Sequence, residues 1–285
     1  MSWIITGTQR YQPDALLDQY LGAAVAYSLR NLVGTSNPAV VRVRRGNDNS
    51  EADFTATEVS DGTLAAWVGA GNDGFVRTWY DQSGNGNNAG QSTTSLQPQI
   101  VSSGAVITDG TKPAIQFVST TKALDCPDSQ SLRVALPSHY TVCSTTSIGT
   151  TQIVFGKGFG GSYTNSYANP FVGSKHRPSI DNGSERTVIS PSNLLSNTRY
   201  LLFATYTGVA LQGGYNGSSV YTTSTSGSVQ YSSEPFRIGA LAKDATPSTF
   251  PFTGKMQEII IYSSDTSANR TAIETNINAH YSIYP

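Results

Sequence analysis

The chain has 285 residues and a formal net charge of −1, and only 13% of its residues are charged, about half of the ~25% usual in globular proteins. Without a basic excess there is little attraction to phosphate backbones, which excludes nucleic acid as a partner, and no apolar run approaches the ~18 residues needed to cross a bilayer. Two cysteines, Cys126 and Cys143, are too few for a disulfide framework, and reduced buried thiols are favoured over a single bridge.

The chain opens with a segment, residues 1–13, that we expect to form an arm separate from one domain at 14–285. This segment lacks the basic region and the apolar stretch of a secretory signal. We therefore expect the protein to be made in the cytoplasm and not to be exported by the ordinary secretory route. Terminal segments are usually held loosely, and Trp3, Ile4 and Ile5 are unusual choices for a free tail. The arm is therefore predicted to dock against a partner protein.

Helical patterning occurs only near the two ends. Residues 13–27 begin with Pro-Asp and continue with apolar residues at the i, i+3, i+4 spacing of a helix. Near the C-terminus, Asp265 or a neighbouring serine can cap a helix over about residues 267–281. The apolar face of that helix would consist of Ile273, Ile277 and Tyr281.

Between these ends the sequence predicts short strands. Residues 41–44 and 75–80 alternate between apolar and polar side chains, which is typical of a strand with one wet face. The Asn216-Gly217 dipeptide favours a tight hairpin turn. Many short strands with frequent Gly and Asn predict an all-β sandwich or jelly roll, with short helices near the termini. Further strands are predicted at 115–118, 140–144, 153–155, 199–207, 220–223, 236–239 and 255–262.

The most distinctive stretch is residues 78–88, in which a strand runs into a loop of small polar residues and glycines. Asp, Ser and Asn hydrogen-bond their own backbone and Gly permits left-handed turns, so such a loop is tight and rigid. Half of a calcium-loop pattern is also present, from Asp81 to Asn85 and the glycine that follows. Because Ser92 stands where a bidentate Glu is needed, the structural interpretation is favoured and no metal is expected.

This stretch, Tyr-Asp-Gln-Ser-Gly-Asn-Gly-Asn at 80–87, resembles the catalytic domain of α-L-arabinofuranosidase B. Two earlier segments at 26–30 and 41–48 and the C-terminal segments at 237–239 and 254–256 occur in the same order as in that family. The similarity is strong up to about residue 101 and weak in the middle of the chain. It implies a concanavalin A-like β-sandwich, in agreement with the strand pattern.

The resemblance also implies two catalytic carboxylates, since the family hydrolyses arabinofuranose with retention and needs them about 5 Å apart. Asp244 corresponds to the acid/base, but it follows Ala-Lys instead of Gly-Gly. Asp181 corresponds to the nucleophile, which is a Glu in the family, and Glu185 is an alternative in a shifted register. The family's adjacent cysteine pair is broken at Cys143. These departures predict that the fold persisted while the hydrolysis lapsed.

Other candidate sites are few. The three histidines, at 139, 176 and 280, show no metal-ligand spacing, and we expect no cofactor. Most of the aromatic residues should fill the core and the sheet surfaces. Tyr163 and Tyr167 lie in a polar loop and are the aromatic residues that we expect to be exposed for binding, together with Asp81 and Asn85 of the rigid loop.

Three functions remain open from the sequence. The segment at 16–30 is similar to the openings of concanavalin A-like proteins of tailed bacteriophages, and this favours a virion protein, either a capsid decoration or a fibre or tail component. Such a protein would contact other virion proteins through the N-terminal arm, form a homo-oligomer and bind cell-surface glycan. The second hypothesis is a working retaining α-L-arabinofuranosidase, and the third is a non-catalytic lectin-like adhesion module.

Overall fold

The computed structural model describes residues 15–118, 121–158, 166–217, 219–231, 233–241 and 249–285. Helices are short and lie mainly outside the sheets. They are α1 (Leu16–Gln19), α2 (Ala56–Ser60), α3 (Thr63–Val68) and α4 (Arg270–Tyr281), with 3-10 turns at Thr94–Leu96, Gln130–Leu132 and Ser267–Asn269. In the part of the chain described here, no helix is both long and apolar enough to cross a membrane.

Strands make up most of the chain. In the first half they are β1 (Ala23–Ser28), β2 (Ala39–Arg45), β3 (Glu51–Thr55), β4 (Gly74–Trp79), β5 (Ala89–Gly90), β6 (Gln99–Ser102), β7 (Ala105–Val106), β8 (Thr108–Asp109), β9 (Lys112–Pro113), β10 (Ile115–Phe117) and β11 (Leu124–Cys126). In the second half they are β12 (Ser138–Thr145), β13 (Gln152–Lys157), β14 (Tyr167–Val172), β15 (Lys175–His176), β16 (Ser179–Asp181), β17 (Glu185–Thr187), β18 (Arg199–Tyr206), β19 (Ala210–Tyr215), β20 (Ser219–Ser224), β21 (Phe236–Ile238) and β22 (Gly254–Tyr262).

The strands form two antiparallel layers. One layer, which we call the back sheet, runs β1–β22–β12–β18–β19–β20. The other, the front sheet, runs β3–β2–β4–β5–β11–β21–β13–β14–β16–β17. Strands β6 and β10 connect the layers at one corner, since β10 pairs with both β6 and β22. This arrangement is the β-sandwich that the sequence predicts.

The main core lies between the two sheets. Its centre is aromatic: the Tyr27 ring lies 5.6 Å from Trp79 and 6.2 Å from Phe236, and Phe155 lies 5.4 Å from Phe236 (centroid distances). Side chains of β1 and β12 meet those of β4, β13 and β21 here because alternate residues of each strand face inward. A run of stacked rings of this kind fixes how the two sheets pack.

A second apolar cluster covers the outer face of the back sheet. Helix α4 places Ile273, Ile277 and Tyr281 against this face, where they meet Tyr140 and Phe203. The predicted C-terminal helix is confirmed, but α4 begins at Arg270 without a side-chain cap. Asp265 Oδ1 accepts a hydrogen bond from the Ser267 N–H at the 3-10 turn that precedes α4. The helix therefore seals a sheet face that would otherwise be wet.

The helix predicted over residues 13–27 is wrong for most of its length. Only Leu16–Gln19 is helical among the described residues, and Ala23–Ser28 is strand β1. The helical turn ends at Tyr20, and Gly22, with a φ of +88°, lies in the short connection to β1. Every residue of β1 is buried, and a strand buried on both faces shows no alternation from which it could be recognised.

The short helices α2 and α3 lie between predicted strands and were not expected. Helix α2 has a complete capping box, in which Thr55 Oγ1 accepts from the Glu58 N–H and Glu58 Oε2 accepts from the Thr55 N–H.

The predicted hairpin is confirmed: Asn216 and Gly217 have φ of +52° and +74° in the turn that joins β19 to β20.

Both cysteines are buried and unpaired, Cys126 on β11 and Cys143 on β12. Burial raises the pKa of the Cys126 thiol to about 11 and raises that of Cys143 further. Both thiols are therefore protonated at neutral pH, which makes them poor nucleophiles and poor metal ligands.

Candidate functional site

The loop after β4 is fastened to β1 through Asp81. Its Oδ1 accepts hydrogen bonds from the Ala26 backbone N–H (2.9 Å) and the Ser83 N–H (2.9 Å). Its Oδ2 accepts from Ser83 Oγ (2.8 Å) and from the Asn87 N–H (3.0 Å). Each carboxylate oxygen therefore has two protein donors, which agrees with the structural interpretation of this loop.

Amide side chains complete the attachment. Asn85 Nδ2 donates to the carbonyls of Ala23 (2.9 Å) and Ala24 (3.1 Å), and Asn87 Nδ2 donates to Ala24 O (2.8 Å). The polar atoms of Asn85 that make these bonds are used within the fold, like those of Asp81. That Asp81 and Asn85 bind a ligand stays a prediction. No cluster of His, Cys, Asp and Glu able to hold a metal ion occurs among the residues described.

Tyr167 is not an exposed binding residue, and this expectation was wrong. Its side chain is 1% exposed, its hydroxyl donates to Leu132 O at 3.0 Å, and its ring lies 6.5 Å from that of Phe236. The reason is that Tyr167 is the first residue of β14, whose alternation turns it into the core. Tyr163 lies outside the described residues, as do Trp3, Ile4 and Ile5 of the N-terminal arm.

Asp181 and Glu185 face one another across a hairpin. They are directly opposite in the β16–β17 pair, which closes the turn at 182–184, and Asp181 Oδ1 accepts from the Gly183 N–H at 2.9 Å. Directly opposed residues project on the same face of a sheet, with Cβ atoms about 5 Å apart. The structure thus brings together the two alternatives for the nucleophile, whereas Asp244 lies outside the described residues.

A cleft of about 230 Å³ opens on the outer face of the front sheet, beside Glu185; we call it the sheet-face cleft. Its apolar lining comes from strands β13 and β14 and from the segments on either side of residues 242–248. The apolar lining residues are Ile153, Pro170, Val172, Leu241 and Phe250, and the polar ones are Thr151, Arg177, Ser179 and Glu185.

Arg177 is the incompletely paired cation of this cleft. Its Nη2 lies 4.0 Å from Glu185 Oε1, at the limit for an ion pair, and both side chains are about one third exposed. Its Nε atom is buried and has no hydrogen-bond partner. The polar side of the cleft therefore offers the exposed part of a guanidinium and a carboxylate, next to apolar side chains.

Sequence reasoning identified Glu185 only as an alternative and missed Arg177, Ser179 and Phe250. A weak signal was present, since residues 177, 179 and 181 alternate and would share one face of a strand. Nothing local indicates that Phe250 and Leu241 meet that face, because strand pairing across the front sheet brings them there.

No known protein-family profile matches the chain, and no curated protein matches its sequence. Solved structures do match. An arabinofuranosidase complexed with arabinofuranosyl-α-1,2-xylobiose is 13% identical with a TM-score of 0.62, over 90% of this chain and 62% of that one. A GH54 α-L-arabinofuranosidase soaked with a cyclic sulfate inhibitor is 15% identical with a TM-score of 0.58, over the same shares of 90% and 62%.

A third match is the binding domain of Paraclostridial Mosquitocidal Protein 1, which is 13% identical with a TM-score of 0.53, over 71% of this chain and 50% of that one. This chain thus corresponds to about three fifths of the arabinofuranosidases and half of the toxin domain. At such identities the likeness speaks for the fold alone. The protein is therefore an all-β, concanavalin A-like sandwich with short helices packed on it.

Proposed function

We propose that the protein binds carbohydrate in the sheet-face cleft. The observation that carries the proposal is the loosely paired guanidinium of Arg177, which is one third exposed and lies 4.0 Å from Glu185 beside the apolar lining of the cleft. A sugar ring has an apolar face and a rim of hydroxyl groups, and it needs a site with both characters. Pro170 and Phe250 offer the apolar contact, while Arg177 donates to, and Glu185 accepts from, hydroxyl groups.

The long contact between Arg177 and Glu185 also gives a reason for affinity. A guanidinium that is not closely paired keeps N–H groups for a ligand oxygen. The adjoining guanidinium nitrogens and the Glu185 carboxylate make charge-assisted hydrogen bonds, which are stronger than neutral ones. Neutral oligosaccharides fit this wall because the positive and negative groups are already present as a pair.

The fold neighbours indicate which sugars to test first. Because one was solved with arabinofuranosyl-α-1,2-xylobiose, that trisaccharide is the first probe, followed by a glycan array. We expect binding by calorimetry to weaken about tenfold or more in Arg177→Gln and Glu185→Gln, since each removes a charge-assisted bond. Arg186→Gln is the matched control. Arg186 follows Glu185 directly on β17, is exposed, and projects to the opposite face of the strand.

An array without any ligand at high protein concentration would contradict the proposal. Equal weakening by Arg177→Gln and Arg186→Gln would also contradict it, because Arg186 does not line the cleft and its loss should not affect binding there.

Glycoside hydrolysis is the second candidate function, and the opposed pair Asp181 and Glu185 favours it. Retaining hydrolysis needs two carboxyl groups about 5 Å apart. The assay is nitrophenol release from 4-nitrophenyl α-L-arabinofuranoside, the compound soaked into one GH54 neighbour. If the protein is a hydrolase, nitrophenol release should be abolished in Asp181→Asn or Glu185→Gln. Binding of the compound without nitrophenol release would support the lectin-like function instead. Asp244→Asn belongs in the same series, since the sequence resemblance assigns it the acid/base role.

We further propose that this module is a virion component, a capsid decoration or a fibre or tail part that assembles as a homo-oligomer. The support comes from the sequence: the segment at 16–30 is similar to openings of bacteriophage proteins, and low charge lets many copies lie close together. Mass spectrometry of density-purified particles tests it. Stoichiometric recovery is the expected result, and protein found only free in the lysate would refute it.

A further inference from the structure

A second cavity, of about 290 Å³, is lined by elements other than those of the sheet-face cleft; we call it the helix-edge pocket. The segment after β1, helix α2, strand β9 and the last turn of α4 all contribute to it. Its polar lining consists of Arg30, Asn31, Thr57, Ser60, Lys112 and His280. It shares no lining residue with the sheet-face cleft.

The charge of Arg30 is balanced within the fold. Its Nε and Nη2 donate to the two oxygens of Glu258 at 2.7 and 3.0 Å, and Glu258 is fully buried. Ser28 Oγ donates to the same carboxylate at 2.7 Å, and the Tyr281 hydroxyl does so at 3.1 Å. Burial alone would raise the pKa of Glu258, but Arg30 and Ser28 hold it below its usual value. The pair is therefore ionised and neutral overall.

Donors remain for a ligand after this pairing. Arg30 has five N–H groups, of which two bond Glu258 and one bonds Asn276 Oδ1 at 3.0 Å. Among the described residues no carboxylate lies within ion-pair distance of Lys112, although Asp109 stands opposite it in the β8–β9 pair. Lys112 is therefore the lining cation that is not closely paired. The pocket thus has an excess of one positive charge and an excess of hydrogen-bond donors.

His280 adds a neutral group to the same wall. Burial, and then the charges of Arg30 and Lys112, lower the pKa of its imidazole to about 4. At neutral pH one ring nitrogen therefore donates and the other accepts. No hydrogen bond joins either ring nitrogen to another described residue, and the ring lines the pocket.

We propose that the helix-edge pocket binds a carboxylate carried on a sugar-sized, hydroxyl-bearing molecule, that is, a hexuronate residue. A single uncompensated cation matches one negative charge, whereas a phosphate dianion would leave an unpaired charge in a half-enclosed site. Thr57, Ser60 and Asn31 lie where ring hydroxyls need partners, and Pro113 offers apolar contact. An adjoining cavity of about 320 Å³ shares Ser60, Lys112 and Pro113, so a longer acidic glycan can continue along α2.

The test follows the imidazole resonances of the full chain by NMR at pH 7 and constant ionic strength, with sodium D-glucuronate, D-glucose and inorganic phosphate as probes. The expected result is a saturable shift of the His280 signal by glucuronate in the millimolar range, while His139 and His176, buried between the sheets, do not respond. Lys112→Gln should weaken this binding about tenfold or more, and Lys175→Gln, the same change outside the pocket, should leave it unchanged.

Three outcomes overturn the proposal. If glucose shifts the His280 signal as strongly as glucuronate, the carboxylate has no role in binding. If phosphate binds more tightly than glucuronate, the ligand class is a phosphate and not a hexuronate. If the Lys112→Gln variant keeps full affinity and an unchanged melting temperature, the ligand does not bind at this pocket. Loss of neutral glycan binding in the Arg177 variant bears only on the sheet-face cleft, so the two proposals fail separately.

Discussion

Acid sensitivity is expected from His139, which lies at the centre of the sandwich. Its side chain is 3% exposed, its ring lies 5.0 Å from Phe155 and its Nδ1 has no hydrogen-bond partner. Burial lowers the pKa of this imidazole from 6.5 to about 3. Below pH 6.5 the unfolded chain therefore binds a proton that the folded chain refuses, and the free energy of unfolding falls as the pH falls.

The size of the effect follows from the two pKa values. Each pH unit between them removes about 1.4 kcal/mol per histidine, so at pH 4.5 His139 alone costs roughly 2.5 kcal/mol of stability. His176, which bonds Asn169 Oδ1 at 2.6 Å, has a pKa well below normal for the same reason and adds to the loss. Together they approach the total stability of about 5–15 kcal/mol that is usual for a folded protein.

His139→Leu isolates this contribution, since leucine has a similar volume and does not titrate. We expect the slope of unfolding free energy against pH, measured by urea denaturation from pH 6 to 4.5, to fall by about 1.4 kcal/mol per pH unit. The control is Phe155→Leu, which alters the same packing contact without removing a titrating group. It should displace the curve and leave its slope unchanged. Parallel curves for His139→Leu and the wild type would refute the assignment of the acid loss to this residue.

Three further substitutions test the fold and the site. Glu258→Gln leaves the Arg30 guanidinium without its buried partner, and urea denaturation should show a loss of about 3–5 kcal/mol; a loss below about 1 kcal/mol would contradict the buried ion pair. Asp81→Ala removes four accepted hydrogen bonds and should destabilise by about 2–4 kcal/mol, with faster hydrogen exchange of the Ala26 amide; unchanged exchange would show that the loop does not depend on this carboxylate. Tyr167→Phe should cost about 1 kcal/mol of stability through loss of its hydroxyl bond and leave glycan affinity unchanged; weaker binding would show that the core position of Tyr167 is not its only role.

Much of the sandwich could be predicted because its strands are marked by local signals. Alternation identified β2 and β4, and the apolar runs at 140–144 and 255–262 identified the centre of the back sheet. Strand β1 was mistaken for a helix because all its residues are buried, so its side chains carry no period of two. Burial on both faces depends on α4 and on the opposite sheet, which are far away in sequence.

The site was harder to predict for the same reason. Tyr167 was expected at the surface because its neighbours in sequence are polar, yet strand register decides which face a residue occupies. Glu185 is held beside the cleft by its pairing with Asp181. Phe250, which lies much later in the sequence, lines the same cleft. The contact of Phe250 with this cleft joins residues far apart in sequence, and no periodicity within a single segment encodes it.

Low charge content makes the placement of each charge informative in this protein. Arg30, Arg42 and Arg237 each bind both oxygens of one carboxylate, on Glu258, Asp53 and Asp125. Such bidentate pairs balance the charge of the guanidinium, although Arg30 keeps N–H groups that Glu258 does not use. Arg177, with its long contact and buried unpaired Nε, departs from this pattern, as does Lys112 with no carboxylate partner among the described residues. Among the described residues Lys122, Lys175 and Lys255 also lack a carboxylate partner, but their ammonium groups donate to backbone carbonyls. Arg177 and Lys112 line cavities, and this is the physical reason for placing ligand binding there.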